Sequence, residues 1–348
     1  MKSNFDIEKY HSILCPDYPD FLDSYLRVSL IQRLSGVGLL CGTDWTPLFH
    51  NKFFYSRLNH SIGVALIVWN FTHDKKQTLA GLVHDIATPA FSHVVDFMNG
   101  DASTQESTEA STKKIINEDI ELSELLFSQG IYKYEIDDYH NYPIADNEVP
   151  GLSADRLEYM YPSGAALEGV WTIDEIAGNY SQIAVLKNEK GCDELGFVSL
   201  EAALEYTEKF CRISRILQKN EDKVAMQLMA DILSRAIELH YIMEEDLYVM
   251  DESYLIRKFD NIARRRLDAE FTKLYSTFRT MKEVVGSDTP ISGAYCVSLD
   301  VKKRYVNPLV KNSSGAAERL SDVSKEGREC IDDFLNFKDS RYGCVYWA

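Results

Sequence analysis

Two neighbouring stretches of this 348-residue chain repeat apolar residues at helical spacing, and they commit it to a largely helical body. In 201–218, Tyr206, Phe210, Ile213 and Leu217 follow at spacings of 4, 3 and 4, while Glu205, Glu208, Lys209 and Arg212 take the other side. The habit returns in 222–243 with Leu228, Ile232, Leu233 and Ile237. Side chains three and four apart share one face of an α-helix, so both stretches read as amphipathic helices laid on a core. Segments 61–71 and 78–85 are apolar on most faces and read as more central helices. Gly, Pro, Asn and Asp gather at 41–47, 137–150, 188–196 and 286–293, which mark loops. From Tyr295 the period changes to two, with Tyr295, Val297, Leu299 and Val301 alternating with Ser298 and Asp300, as in a half-buried strand. A turn is expected at 312–316 and a closing helix over 324–337. The expected fold is mainly α: a helical bundle over 1–245, then a small mixed α+β appendage over 246–348.

Charge narrows the partners. Acidic residues outnumber basic ones, 54 to 37, and a formal charge of −17 sets the surface against a polyphosphate backbone or an anionic membrane. Duplex nucleic acid and membrane are therefore not expected as partners, whereas a pocket of locally different sign can still take a small anion. The most apolar run, 62–71, has ten residues, against the roughly 20 that a membrane helix needs. Seven cysteines with no CxxC pair point to a reducing compartment, and the expected location is the cytoplasm.

Histidine is scarce, at eight copies; four fall between positions 60 and 93, and three of these, all but His73, sit in chemically suggestive settings. They are His60, His84 followed directly by Asp85, and His93 with Asp96 three residues on. Imidazole and carboxylate together suit a divalent ion such as Mn, Fe, Ni or Zn. His84 and Asp85 close the apolar run Leu79-Ala80-Gly81-Leu82-Val83, where two ionisable groups are costly to bury without a partner. A metal is such a partner, although a lone His on an apolar helix is more often a core residue.

The order of these motifs resembles a family. Arg57-Leu58-Asn59-His60-Ser61-Ile62-Gly63-Val64, then Leu79 to Asp85, then Pro89-Ala90-Phe91-Ser92-His93-Val94-Val95-Asp96, are similar to the HD-domain metal-dependent phosphohydrolases. The nearest branch is the dNTP triphosphohydrolase-like one, which includes bacterial dGTPases and the mammalian SAM-and-HD-domain enzyme. Ile31-Gln32-Arg33-Leu34 upstream and Ser153-Ala154-Asp155-Arg156-Leu157-Glu158-Tyr159 downstream match further segments of that branch. The resemblance implies an HD-domain helical bundle in which His60, His84, Asp85 and Asp155 hold one divalent ion (Mn, Fe, Ni, Zn or Mg). It implies His93 as general acid with Asp96 orienting it, Arg57 and Arg156 on the phosphates, and Tyr159 in the pocket. The implied substrate is a nucleotide or a related small phosphate ester, hydrolysed by water attack on phosphorus, and the implied assembly is a homo-oligomer.

The chain departs from the family at instructive places. Thr88 replaces the first histidine after the HD pair, and Gln105, ahead of Glu106, stands where another family histidine would be. Both are expected on the substrate side of the site, and their neutrality leaves transition-state charge to another donor, such as Lys113, Lys114 or the Lys302-Lys303-Arg304 cluster. Leu39 and Ser163 occupy the positions of a sugar-contacting glutamine and a pocket aspartate, so dNTP specificity does not carry over. These losses also motivate an alternative: a catalytically weak or inactive module that binds nucleotide as a sensor or scaffold.

Overall fold

The computed structural model describes residues 5–105, 107 and 111–348. The helices form where a side chain can start them. Ser56 accepts from the Asn59 amide ahead of Arg57–Thr72, Asp74 from the Lys76 and Gln77 amides ahead of Lys75–Val83, and Ser153 from the Arg156 amide ahead of Ala154–Leu167. Each cap satisfies amides that a first turn leaves without an intrahelical partner. The two amphipathic stretches become Leu200–Ile216 and Asn220–Glu238, and Glu252–Arg265 and Ala269–Thr280 follow them.

Seven strands complete the chain: β1 (Ile183–Lys187), β2 (Asp193–Phe197), β3 (Val285–Ser287), β4 (Ala294–Val297), β5 (Leu309–Lys311), β6 (Ala317–Arg319) and β7 (Tyr342–Tyr346). One sheet has the order β1-β2-β5-β6, in which β5 joins β2 in parallel through Gly196 opposite Leu309 and Phe197 opposite Val310. The other, β3-β7-β4, is antiparallel throughout. The loop expected at 188–196 is corrected, since its second half is β2 of a hairpin. The preceding Ile183-Ala184-Val185-Leu186 lacks alternation because its side chains are half-buried on both faces. The strand expected from Tyr295 ends at Val297. The turn at 312–316 joins β5 to β6, and the closing helix is Lys325–Asn336. Cys296 and Cys344 face each other across β4 and β7 and form a disulfide, a link that the cysteine spacing did not suggest.

Two hydrophobic clusters organise the molecule. The first packs Ile7–Leu14, Arg57–Thr72, Lys75–Val83, Ala154–Leu167 and Leu200–Ile216 around Tyr10, Val64, Leu82, Tyr161 and Phe210. The second joins the short helix Val94–Met98 to Asn220–Glu238, Glu252–Arg265 and Ala269–Thr280, with Val297 and Val345 from the second sheet. Residues before and after position 245 thus share one core. Among the described residues no helix is long and apolar enough to cross a membrane.

Candidate metal centre

Between the two clusters opens a cavity of about 740 Å³. His60 lies in the first turn of Arg57–Thr72, His84 caps the end of Lys75–Val83 with Asp85 next to it, and Asp155 lies in the first turn of Ala154–Leu167. Packing of these helices brings the four together. The Nε2 atoms of His60 and His84 are 3.2 Å apart, and Asp155 Oδ1 is 3.1 Å from the former and 3.9 Å from the latter. Asp85 Oδ2 is 3.7 Å from His60 Nε2 and 3.6 Å from His84 Nε2.

The imidazoles are turned toward one another by their other nitrogens. His84 Nδ1–H donates to the Gly81 carbonyl at 2.7 Å, and His60 Nδ1–H donates to Glu158 Oε2 at 2.5 Å. Glu158 is fully buried, and the Tyr55 hydroxyl donates to its other oxygen at 2.6 Å. Sequence reasoning passed over Glu158 as part of a matched segment. Its signal is Gly63, one turn beyond His60, where a Cβ would come within 2.5 Å of Glu158 Oε1. With both Nδ1 atoms committed as donors, Nε2 is the nitrogen of each ring that faces the cluster, and it offers a lone pair when the ring is neutral.

That chemistry fits a divalent cation. Both Nε2 atoms and an Asp155 oxygen lie within 4.8 Å of one another, with Asp85 Oδ2 3.6–3.7 Å from the two nitrogens, and such a set of donors is repulsive without positive charge in its midst. The local field agrees. Burial alone would lower the His60 pKa, yet the charge of Glu158 and hydrogen bonds to Asp155 and Glu158 carry it up to about 10. Burial would raise Asp155, but the bond to His60 and the charges of both imidazoles hold it at about 2. Asp85, also raised by burial, is driven well below the carboxylate range chiefly by Arg57, whose Nη1 donates to Oδ2 at 2.7 Å.

Facing the cage is a second polar group. His93 Nδ1–H donates to Asp96 Oδ2 at 2.9 Å, and the Ser107 hydroxyl donates to Asp96 Oδ1 at 2.5 Å. Burial, together with the charges of Arg304 and Arg57, outweighs Asp96 and lowers the His93 pKa to about 4, so the ring is neutral and its Nε2 is an acceptor. Arg304 Nη2 lies 3.4 Å from that Nε2 and donates to Gln105 Oε1 at 2.7 Å. Of the cationic side chains named as substitutes for the missing histidines, Lys302, Lys303 and Arg304 line the cavity, Arg304 beside His93; Lys113, paired with Asp138 at 3.3 Å, and Lys114 do not line it. Glu106 lies outside the described residues.

Other expected positions land differently. Thr88 does not line the cavity; its hydroxyl donates to Asp85 Oδ1 at 3.1 Å, so it braces the cage from behind. Arg156 lines the cavity, but its guanidinium is taken up by Asp146 at 3.1 Å, the Gly151 carbonyl at 2.8 Å and Asn147. Tyr159 lines the cavity with a hydroxyl that has no partner among the described residues. Leu39 and Ser163 line it too. Glu252 went unforeseen because it touches no motif in sequence. Fully buried, it accepts from the Gly38 and Phe91 amides at 2.9 and 3.0 Å and from Trp45 Nε1 at 2.7 Å. It thereby ties down the turn of Phe91 and Ser92, both at positive φ, that delivers His93.

No family model matches the sequence. The chain is 23% identical over 316 residues to the uncharacterized protein YdhJ of Bacillus subtilis, covering 87% of this chain and 90% of that one. Over 137 residues it is 28% identical to the metal-dependent phosphohydrolase cns2 of Cordyceps militaris, 38% of this chain and 37% of that one. The crystal structure of a phosphohydrolase from Bacteroides thetaiotaomicron superposes with a TM-score of 0.62 at 16% identity, over 94% of this chain and 96% of that one. A hypothetical protein from Aquifex aeolicus does so with a TM-score of 0.62 at 14% identity, over 95% and 92%. The chain therefore shares the fold of these two solved structures along almost its whole length.

Proposed function

We propose that the chain is a metal-dependent phosphohydrolase that cleaves a small phosphate ester, a nucleotide or a related compound, by attack of water on phosphorus. The observation that carries this reading is the cluster of His60, His84 and Asp155 on a cavity wall, each imidazole turned by an Nδ1 hydrogen bond so that Nε2 faces the others, and we take Asp85, 3.6–3.7 Å from both Nε2 atoms, as the fourth ligand. The phosphohydrolase names of one sequence relative and one structural neighbour support it.

A divalent ion held by these four groups supplies a Lewis acid for a phosphoryl oxygen and raises the acidity of a water beside it. The chain's own residues do the rest. Asp85 is shared between the cage and Arg57, whose guanidinium lines the cavity beside the cage and would pair with phosphoryl oxygens bound there. Arg304 contributes a second positive charge from the facing wall, in the role left open by Thr88 and Gln105. Burial is the main cause of the depressed proton affinity of His93, and the charges of Arg304 and Arg57 add to it. A phosphate bound between them offsets their charge, so His93 takes up a proton with the substrate and hands it from Nε2 to the leaving oxygen, while Asp96 holds the ring through Nδ1.

The test is to incubate metal-loaded protein with mononucleotides, dinucleotides, nucleoside triphosphates and simple phosphate esters beside an Asp85→Ala variant. Turnover of at least one ester by the native chain alone is the expected result. Equal background from both proteins across the whole panel would overturn the reading.

A further inference from the structure

We infer that the organic part of the substrate is an extended apolar group, so that the site takes the phosphate ester of an apolar alcohol; the inference rests on the phosphohydrolase reading. Polarity falls off along one wall of the cavity. Asp155, Tyr159, Ser163 and Leu167 recur every four residues on Ala154–Leu167, and all line the cavity. A helix rises about 1.5 Å per residue, so Leu167 lies about 18 Å along the axis from Asp155 and position number measures distance from the cage. Along that path the side chains pass from a carboxylate, through a phenol and a hydroxyl, to a branched alkyl group.

The neighbouring helix Leu200–Ile216 runs in the same direction. The Tyr206 hydroxyl donates to the Arg156 carbonyl at 3.0 Å, the Phe210 ring lies 6.1 Å from that of Tyr159, and Arg212 pairs with Glu168 at 2.7 Å. Ile213, Ile216 and Leu217 therefore reach the cavity at its Leu167 end. Phe49 is brought there by the Lys52 amide, which donates to the Ala166 carbonyl at 3.0 Å. Groups able to bind an anion lie toward the other end: Arg57 on Asp85, and Arg304 between Gln105 and His93. Among the polar groups toward that end, the hydroxyl oxygen of Thr43 already accepts from Asn51, and Lys302, whose carbonyl accepts from the Gln218 amide next to Leu217, lines the cavity with Lys303 beside it.

A polyol or a nucleobase brings hydroxyls and ring nitrogens that lose their water partners on entry, and this end gives them few in exchange. An alkyl chain or plain aromatic ring loses nothing polar and gains from every CH₂ removed from water.

The experiment measures kcat/KM of the metal-loaded protein on straight-chain alkyl phosphates from methyl to dodecyl, beside glycerol phosphate and deoxynucleoside mono- and triphosphates. The expected result is a rise of roughly three- to fourfold per added CH₂, the fold-change that burying one methylene corresponds to. The rise should level off once the chain outgrows the cavity, pass the values for glycerol phosphate and the nucleotides, and flatten in Leu167→Asp. A flat series in the native chain, or a preference for the nucleotides, overturns the apolar assignment and leaves the phosphohydrolase reading standing. Failure of every ester to be cleaved faster than by Asp85→Ala overturns both.

Discussion

The cage and the wall that faces it are assembled from opposite kinds of sequence. His60, His84, Asp85 and Asp155 come from three helices of one hydrophobic cluster, each beside its own cap or helix end, and both histidines are aimed by partners packed in that cluster. The facing wall joins His93 and Gln105 to Arg304, some two hundred residues later, and its turn is fastened by Glu252 from a helix of the other cluster. A site whose parts lie in one core can be preset by local packing. A wall whose turn is fastened in the second core meets the cage only through the docking of the two cores.

Changes on the two walls should therefore fail in different ways, and the largest effect belongs to the cage. His84→Ala is expected to lose bound metal and to lower hydrolysis roughly 10³-fold or more, since a Lewis acid contributes several kcal/mol; elemental analysis beside a rate assay reads both. Full metal content in that variant would break the assignment of the cage. On the facing wall, Arg304→Ala should lower kcat/KM by roughly 10²- to 10³-fold with metal content unchanged, and Arg304→Lys should recover part of the loss. Loss of metal from Arg304→Ala would erase the contrast between the walls. A smaller change behind the cage, Glu158→Gln, should weaken metal affinity roughly 10- to 100-fold, because the amide orients the His60 ring but no longer raises its basicity. Competition with a chelator measures it, and an unchanged affinity would deny Glu158 that role.

The smallest effect concerns the fastening of the facing wall. Burial pushes the Glu252 carboxyl from 4.5 up to about 7, against its bonds to Trp45, Gly38 and Phe91. The folded chain thus holds this proton more tightly than the unfolded one. The stabilisation is complete below pH 4.5 and is lost as pH rises through about 7. Glu252→Gln should remove that component of the pH dependence and cost about 1–3 kcal/mol, because the amide nitrogen cannot accept from its donors. Denaturant unfolding across this interval decides the matter; an identical slope in both proteins would show that Glu252 does not titrate there.

Legibility followed locality. The amphipathic periods of 201–218 and 222–243 survive as Leu200–Ile216 and Asn220–Glu238 because one face of each is buried along its whole length. The β1–β2 hairpin was missed because its first strand carries no alternation, and the Cys296–Cys344 link because cross-strand register is invisible in spacing. Thr88 and Arg156 stand near the substrate side in sequence, yet their side chains turn to Asp85 and to the 146–151 loop. A direction of that kind is settled by which donor finds a carboxylate first.

By itself, the sequence determined that the chain is mainly helical and pointed to His60, His84, Asp85 and Asp155 as a group that the fold brings close together. Helix period and capping act over a few residues and are written in the order of the side chains. Tertiary structure alone decided that Glu158 aims His60, that Glu252 pins the turn before His93, and that Arg304 lies between Gln105 and His93. It also set the far end of the cavity against Leu167, Ile213 and Leu217. These pairings depend on how two separately formed cores meet, and burial of apolar surface, which drives that meeting, has no direction along the chain.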